Sequence, residues 1–248
     1  MNWHIFVRGV RVTARKDMMI YYKKAPVFIF GLILPTFLFF AFFVGRQLDV
    51  QRYFPGFLAM SLFFTSSSVG PLIVPWEKQQ GTFERLLSYP VNIEIILLGD
   101  VIAGAVFGLI ISSIVGVVGF LFLPLQLADV LLVFLAFVLG NLCFSSLGVL
   151  LSSPAGKTPA NIMMLAALVR FPLIFISGIF IPLNEMSGAT RLVTQFSPLT
   201  YLVDALNHGM GQPAVMPWYV DIAALVLFTF VFVAGASFIL KKRSMKGL

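Results

Sequence analysis

Residues 76–100, WEKQQGTFERLLSYPVNIEIILLGD, separate two long apolar runs in this sequence of 248 residues. Gly81 and Thr82 are typical of a helix start. Glu84 follows in the first turn, where the helix dipole favours an anion, and Pro90 ends the helix. Charge gathers in this stretch, at Glu77, Lys78, Glu84, Arg85, Glu94 and Asp100. The pattern predicts a short helix in a loop between two apolar spans.

This short helix has an apolar face. Phe83, Leu86 and Leu87 have the spacing of one helical stripe, with charged residues on both flanks. Such a helix, held outside the bilayer, suits docking onto a partner protein. The same pattern fits a helix that lies on the lipid surface or packs beneath its own bundle, because amphipathic interfacial helices are common. The residues alone leave these interpretations open.

The composition is that of a membrane protein. Hydrophobic residues make up 59% of the sequence and charged residues 11%, whereas soluble domains carry about 25% charged residues. Several apolar stretches of about 18 residues or more follow one another with short links, which is the pattern of a polytopic helical membrane protein. We expect one all-α transmembrane domain over residues 1–248, with no soluble part able to fold alone.

The cysteine count and the charge exclude two other classes. The single Cys143 lies in an apolar run, so the chain has no disulfide framework. The net charge of +7 is concentrated toward the two termini. That distribution indicates membrane topology rather than binding to nucleic acid.

Residues 1–25 predict a cytoplasmic helix that lies in the membrane interface. The segment is too long and too charged for a cleaved signal peptide. Its helical pattern separates an apolar face from a basic face that meets lipid headgroups. The apolar face contains Trp3, Phe6, Val7, Val10 and Ala14, and the basic face contains His4, Arg8, Arg11 and Arg15.

Six spans are predicted from the apolar runs. By the length rule they lie at about 26–44, 54–75, 93–123, 129–151, 160–183 and 217–240. Residues 184–216 carry two weak apolar helical patterns that are split at Ser197-Pro198. We interpret them as a pair of outer half-helices, re-entrant or interfacial, because irregular backbone at membrane depth needs protein around it.

Lysine and arginine set the orientation. Thirteen of them lie at the two termini and in the links after the second and fourth spans, against three on the opposite side. The positive-inside rule therefore places both termini and the 77–91 link in the cytoplasm. An even number of spans also requires the termini to share a side.

A nucleotide site is not predicted. Gly156-Lys157-Thr158 is similar to the end of a phosphate-binding loop, but Leu151 stands where that loop needs glycine. Pro159 interrupts the helix whose first turn would hold the phosphate. A short cytoplasmic turn with one topogenic lysine explains the segment.

Arg170 lies about midway along the fifth span, where a charge is expensive and a functional role is the default hypothesis. Pairing with backbone carbonyls or with a carboxylate on another helix is equally open. Pro172 would kink the span and free carbonyls for Arg170. Both residues are candidates for the translocation path or for intramembrane pairing.

No other constellation in the spans indicates chemistry. The sequence offers no Ser-His-Asp set, no metal-ligand spacing and no paired carboxylates inside the membrane, so we predict no catalytic residue and no metal site. Asp204 and His208 lie one helical turn apart, and we expect them to stabilise the outer half-helix.

Three stretches carry a resemblance to a known family: EKQQGTFERLLSYPVNIEIILLGD at 77–100, FPLIFISGIFIPL at 171–183 and FSPLTYLVDALNHGM at 196–210. With them, the chain resembles the permease subunit of an ATP-binding-cassette exporter of the type-2 permease family. That family includes drug, polysaccharide and lipo-oligosaccharide exporters. The order of interfacial helix, six spans and outer half-helices agrees over nearly the whole chain.

The resemblance implies that 77–91 is a coupling helix seated in a cleft of a separate ATPase subunit. Phe83, Leu86 and Leu87 would be its apolar anchors, and Glu84 and Arg85 would lie at the rim. The residues of this docking segment are Glu77, Gly81, Thr82, Phe83, Glu84, Arg85, Leu86 and Leu87. The working unit would contain two permeases, as a homodimer or heterodimer, and two ATPases that bind ATP and Mg²⁺. This chain would hold no cofactor and would not itself be an enzyme.

The resemblance also implies candidates for an outer gate, which are Ser197, Pro198, Tyr201 and Asp204. The chain departs from the family here, because Asn207-His208 stands where members often have an arginine.

We therefore expect export of an amphiphilic or apolar substrate, such as a drug, a lipid or a glycan-lipid, across the cytoplasmic membrane of a prokaryote. The partner ATPases would drive alternating access. The alternative function is an ATP-independent secondary transporter or channel, which would favour ionisable residues along several spans.

Overall fold

The computed structural model describes residues 3–43, 50–88, 92–154, 158–186 and 188–244. The regular secondary structure of these ranges is helical. The α-helices are α1 (Trp3–Tyr21), α2 (Ala25–Phe28), α3 (Leu34–Phe43), α4 (Val50–Gln79), α5 (Thr82–Ser88), α6 (Ile93–Phe122), α7 (Val130–Ser152), α8 (Pro159–Phe175), α9 (Ala189–Thr194), α10 (Pro198–Gly209) and α11 (Trp218–Ser244). A π-helical stretch, Ile29–Ile33, joins α2 to α3, and a 3₁₀ turn, Leu183–Glu185, precedes α9.

Four helices of the described chain are long and apolar enough to cross a membrane, namely α4, α6, α7 and α11. A fifth candidate is the bent pair formed by Trp3–Tyr21 and Ala25–Leu38, whose axes meet at 90°. The apolar helix α8 has 17 residues and is shorter than these. The described chain is thus an all-α membrane protein with four or five candidate spans. The count of six stays a prediction.

Two of the predicted spans differ in extent from the helices of the structure. The second predicted span, 54–75, is part of a longer helix, because α4 begins at Val50 and continues through Glu77 to Gln79. Charge at Glu77 does not end the helix, since a lysine of α1 pairs with it. The predicted docking segment, 77–91, consequently contains only α5 as a separate helix, and 89–91 lies outside the described residues.

The fifth predicted span, 160–183, ends too late. Helix α8 stops at Phe175, and the chain then turns at Gly178, whose φ of 86° suits glycine. The Ser177 hydroxyl donates to the Ile174 carbonyl at 2.7 Å and helps to close the helix end. Residues 176–183 are apolar, so the length rule included them in the predicted span. In the structure they do not continue α8.

Helix α4 is the centre of the bundle, with almost all of its residues buried from Phe54 to Pro75. It packs against α6 and α7 at glycine positions. A Cβ atom on Gly108 of α6 would overlap the Ser66 hydroxyl and the Asn141 amide, and one on Gly70 of α4 would lie 2.6 Å from the Gly148 carbonyl carbon. Small residues of this kind let helix backbones approach closely in membranes.

Helix α8 is held differently. Its buried residues are Ile162, Ala166, Arg170 and Ile174, which are four positions apart and form one narrow stripe. The remaining sides expose large apolar residues such as Met164, Leu168 and Phe175. Helix α8 therefore lies at the edge of the bundle.

The two outer half-helices differ in burial. Helix α10 is buried along most of its length and packs against α4, α7 and α11. The segment around α9 instead exposes Leu192, Val193 and Phe196. The prediction of two short helices split at Ser197-Pro198 agrees with these bounds, since α9 ends at Thr194 and α10 begins at Pro198.

Candidate functional site

The loop between α4 and α6 makes a tight turn before its short helix. Gly81 has a φ of 68°, which glycine adopts without strain. The Thr82 hydroxyl donates to the Glu77 carbonyl at 3.2 Å and ties the start of α5 to the end of α4. The Ser88 hydroxyl donates to the Arg85 carbonyl at 2.7 Å at the other end. Helix α5 is thus fixed next to α4 at its first residue.

The apolar anchor predicted for the ATPase cleft faces the other way. Phe83 is only 7% exposed. It packs in an apolar cluster with residues of α4, α6, α7, α8 and α11, which are Val74, Leu97, Val101, Val149, Ile162, Ala236 and Leu240. In the structure the apolar surface around Phe83 belongs to its own bundle, and a seat for this side chain in a partner stays a prediction. The alternative interpretation from the sequence, packing beneath the bundle, holds for this residue.

The solvent side of the loop is polar. Gln79, Gln80, Gly81, Arg85 and Ser88 are exposed, and we call them the α5 surface. Thr82, Leu86 and Lys78 are half-buried, and the Lys78 ammonium lies 5.3 Å from the centre of the Phe83 ring. The side chains of Glu84 and Leu87 lie outside what the structure describes.

Glu77 is also turned inward rather than toward a partner. It is 3% exposed and forms an ion pair with Lys16 of α1. The Lys16 ammonium lies 3.0 Å from Oδ1 of Asp17, and Asp100 of α6 is buried beside this group. Burial opposes the charged form of Lys16, but the charges of the three surrounding carboxylates raise its pKa above the usual value. We call these four residues the basal charge cluster.

A second ion pair links the same end of the bundle to the end of the described chain. Lys241 of α11 pairs with Glu94 in the first turn of α6. Both side chains are partly exposed, so the pair contributes little to the free energy of folding. It shows that the end of α11 lies next to the start of α6.

Arg170 is buried, with 1% exposure, on the stripe of α8 that faces α4. Its Nη2 donates to the Ser67 carbonyl of α4. Its Nε and Nη1 have no hydrogen-bond partner among the described residues. The expected carbonyls near Pro172 are therefore not the acceptors, and no carboxylate of the described chain pairs with the guanidinium. Pro172 lies within α8, on an exposed side.

A polar run accompanies Arg170 inside the bundle. Thr65, Ser66, Ser67 and Ser68 are all buried in α4. Three of the hydroxyls return to carbonyls one turn earlier in their own helix, and Ser66 donates to the Asn141 side chain of α7. The Ser67 carbonyl is the acceptor that holds Arg170. Sequence reasoning missed this run, although four consecutive hydroxyl residues in an apolar helix were the available signal.

The outer candidates are held by backbone contacts. The carboxylate of Asp204 accepts from the Met216 N–H at 2.7 Å and from the Val215 N–H at 2.9 Å. Burial raises the pKa of Asp204, and these two hydrogen bonds oppose the rise. His208 is exposed. The structure thus pairs Asp204 with the backbone before α11 rather than with His208. Through these bonds Asp204 anchors the loop before α11.

The other three outer candidates surround the start of α10. The buried Ser197 hydroxyl donates to the Leu173 carbonyl of α8 at 3.2 Å, and Pro198 occupies the first turn of α10. The Tyr201 hydroxyl donates to the Gln195 carbonyl at 3.0 Å. Together they fix the joint between α9 and α10. They also connect that joint to the end of α8.

The structure describes only part of the segment that is similar to a phosphate-binding loop. Gly156 and Lys157 lie outside the described residues. Thr158 directly precedes α8, whose first residue is Pro159. The expectation that Pro159 interrupts a helix was wrong in its geometry, since proline opens the helix at a position that tolerates it.

These features define a helical membrane protein with polar groups inside its bundle and a short helix on one loop. The chain belongs to the ABC-2 type transporter family, whose model matches residues 3–210. It is a membrane transport permease, and its described residues include four or five candidate spans.

The chain is similar to several named proteins. It is 26% identical to "Inner membrane transport permease YadH" of Escherichia coli K12 over 183 residues. The aligned region covers 74% of this chain and 71% of that protein. It is 29% identical over 139 residues to "Nodulation protein J" of Rhizobium meliloti, covering 56% and 53% of the two chains. For "Nodulation protein J" of Neorhizobium galegae the identity is 21% over 238 residues, covering 85% and 90%.

Proposed function

We propose that this permease is the membrane subunit of an ATP-driven exporter and that a separate ATPase subunit binds at α5. The observation that carries the proposal is the position of α5. It is a separate short helix between two long apolar helices, with a polar, exposed outer surface. Membership of the ABC-2 type transporter family supports the same assignment.

The buried side of α5 suggests how a partner would act on the bundle. Phe83 contacts a cluster to which α4, α6, α7, α8 and α11 all contribute. A force on the α5 surface would therefore reach several helices at once rather than α4 alone. An ATPase biases the permease between two states only if it binds those states with different affinity. We infer that the partner contacts the α5 surface while Phe83 couples that surface to the helices.

The first experiment tests docking. Wild-type permease and the Arg85→Glu variant are co-expressed with an ATPase encoded beside the permease gene and purified through a tag on the permease. We expect wild type to retain the ATPase and Arg85→Glu to lose most of it without loss of folding. Arg191→Glu is the matched control, because Arg191 is an exposed arginine of α9 outside the α5 surface. Full retention by Arg85→Glu, or no ATPase bound to wild type, would contradict the proposal.

The proposed orientation has both termini and α5 in the cytoplasm. It is supported by the thirteen lysine and arginine residues on that side against three on the other. In a Cys143→Ser background, a cysteine at exposed Asn184 should react with an impermeant maleimide in intact cells. A cysteine at Arg85 should react only after permeabilisation. The reverse pattern would overturn the orientation and the docking model together.

The proposed assembly contains two permeases and two ATPases, with six spans in each permease. Helix α8 would be the fifth span, and the helix from Ala25 to Phe43 would be the first. The exposed apolar side of α8, with Met164 and Leu168, is a surface that a second permease would cover. A cysteine at Leu168, in the Cys143→Ser background, should form a disulfide-linked dimer on oxidation. The same change at Val117, exposed on α6, is the matched control and should not.

The proposed substrate is amphiphilic or apolar. The 27 phenylalanines and the apolar cluster around α4 favour such a cargo over a small ion. The buried Arg170 is the group that would meet an anionic part of it. Stimulation of ATP hydrolysis in the reconstituted complex by single-chain anionic amphiphiles, and not by inorganic ions, is the expected result.

A further inference from the structure

A groove of about 600 Å³ lies between α1 and the first turns of α6. Pockets that hold small molecules in proteins have volumes of roughly 300–1,000 Å³. Phe6, Val10 and Met18 line it from α1. Their spacing in multiples of four places them in one row along the helix. By the helical rise, that row is about 18 Å long.

The opposite wall of the groove is apolar too. Leu98 and Ile102 of α6 line it and are four residues apart. Together with the row on α1 they leave an elongated apolar slot, open along its length. A soluble anion gains nothing from such a slot, whereas a hydrocarbon chain is stabilised by the apolar surface on both sides.

The rim of the groove is cationic. Arg11 and Arg15 line it and are exposed. Within the described chain neither arginine is in an ion pair, whereas the adjacent Lys16 turns inward to Glu77. The carboxylates near α1 thus lie around Lys16. The guanidinium groups of Arg11 and Arg15, one helical turn apart, lie at the groove instead. Paired arginines are well suited to bind phosphate oxygens.

We propose that this groove binds one anionic phospholipid, with an acyl chain in the slot and the headgroup phosphate on Arg11 and Arg15. A choline headgroup fits less well, because its ammonium meets the same two cations. The inference rests on the proposed position of α1 at the cytoplasmic face, where anionic lipids are concentrated. It requires no transport activity, so its failure and the failure of the exporter proposal are distinguishable.

The experiment measures lipid retention by native mass spectrometry of the purified permease. Equal amounts of a phosphatidylglycerol and a phosphatidylcholine with the same acyl chains are added in detergent. Wild type should retain one phosphatidylglycerol in preference to phosphatidylcholine. The double variant Arg11→Gln/Arg15→Gln should bind phosphatidylglycerol about tenfold more weakly. Glycerol phosphate, which lacks acyl chains, should not bind.

Two further variants separate the site from general charge and from folding. Arg8→Gln/Lys23→Gln removes the same charge from exposed positions outside the groove, and it should leave the preference unchanged. Ile102→Trp fills the slot without changing charge and should lower retention of both lipids. Melting, followed by a thiol-reactive dye on the single, buried Cys143, identifies any variant that fails to fold. The proposal is overturned if the control variant loses as much phosphatidylglycerol as the rim variant, or if the rim variant loses none.

Discussion

Lys16 of α1 and Glu77 of α4 form an ion pair at the base of the bundle. The pair joins the N-terminal amphipathic helix to α4 two residues before α4 ends. Asp17 and Asp100 are buried in the same cluster. One cation therefore compensates three carboxylates, and removing a single partner from a buried charged group is costly because the remaining charges stay desolvated.

Replacing Lys16 with methionine should destabilise the folded permease by about 2 kcal/mol, less than for a fully buried pair because Lys16 is partly exposed. The measurement is thermal unfolding in detergent, reported by reaction of Cys143 with a thiol dye. Lys23→Met is the matched control, since Lys23 is exposed, and its melting temperature should equal that of wild type. If the Lys16 variant melted at the wild-type temperature, the basal charge cluster would contribute nothing to stability.

Phe83→Ala should destabilise the bundle by about 3 kcal/mol, because it removes a buried ring from an apolar cluster. The same dye assay measures this. Arg85→Ala, two residues on and exposed, should unfold like wild type. A Phe83 variant that melts normally but loses the ATPase would mean that the ring leaves the cluster to enter the partner.

Gly108→Ala should destabilise the permease by about 1–3 kcal/mol, since the added methyl group meets Ser66 of α4 and Asn141 of α7. Gly116→Ala, in the same helix, is the control. The nearest atom to its new Cβ is 3.6 Å away, on Leu58. Melting of both variants at the wild-type temperature would show that this helix contact has room to relax.

Asp204→Ala should loosen the loop before α11, because the Val215 and Met216 N–H groups lose their acceptor. Hydrogen exchange should rise at those two amides, and the protein should lose about 1–3 kcal/mol of stability. His208→Ala should change neither quantity, as the imidazole is exposed. Unchanged exchange in the Asp204 variant would show that the loop is fixed by other contacts.

Arg170→Met should leave melting within about 1 kcal/mol of wild type, because an apolar side chain of similar volume replaces a buried, incompletely bonded charge. It should abolish stimulation of the partner ATPase by anionic amphiphiles. This result favours a place on the translocation path. Unfolding of the variant would instead assign Arg170 a structural role through its bond to the Ser67 carbonyl.

The helical class, the short helix before α6 and the split at Ser197-Pro198 were readable from the sequence. Local signals determine them, namely apolar length, a Gly-Thr start and a proline. The end of α4 was not readable, because its continuation depends on Lys16, which lies 61 residues away from Glu77. The burial of Phe83 has the same origin, since α7, α8 and α11, which are distant in sequence, supply part of its surroundings.

The polar contacts inside the bundle could not be predicted from the sequence, for a related reason. A single arginine in an apolar span indicates a site, but its acceptor, the Ser67 carbonyl, is a backbone atom present in every residue. Likewise, Asp204 was matched to His208 by helical spacing. Its actual partners are amides on the far side of a loop.

The contact between Lys241 and Glu94 has a practical consequence for anyone who handles this protein. Helix α11 continues to Ser244, and Leu240 belongs to the same cluster as Phe83. A fluorescent protein or affinity tag fused directly after α11 would start close to α5 and compete with any partner for access to it. Complexes should therefore be isolated through a tag placed elsewhere in the chain, and a fusion directly after α11 should serve as a deliberate steric block.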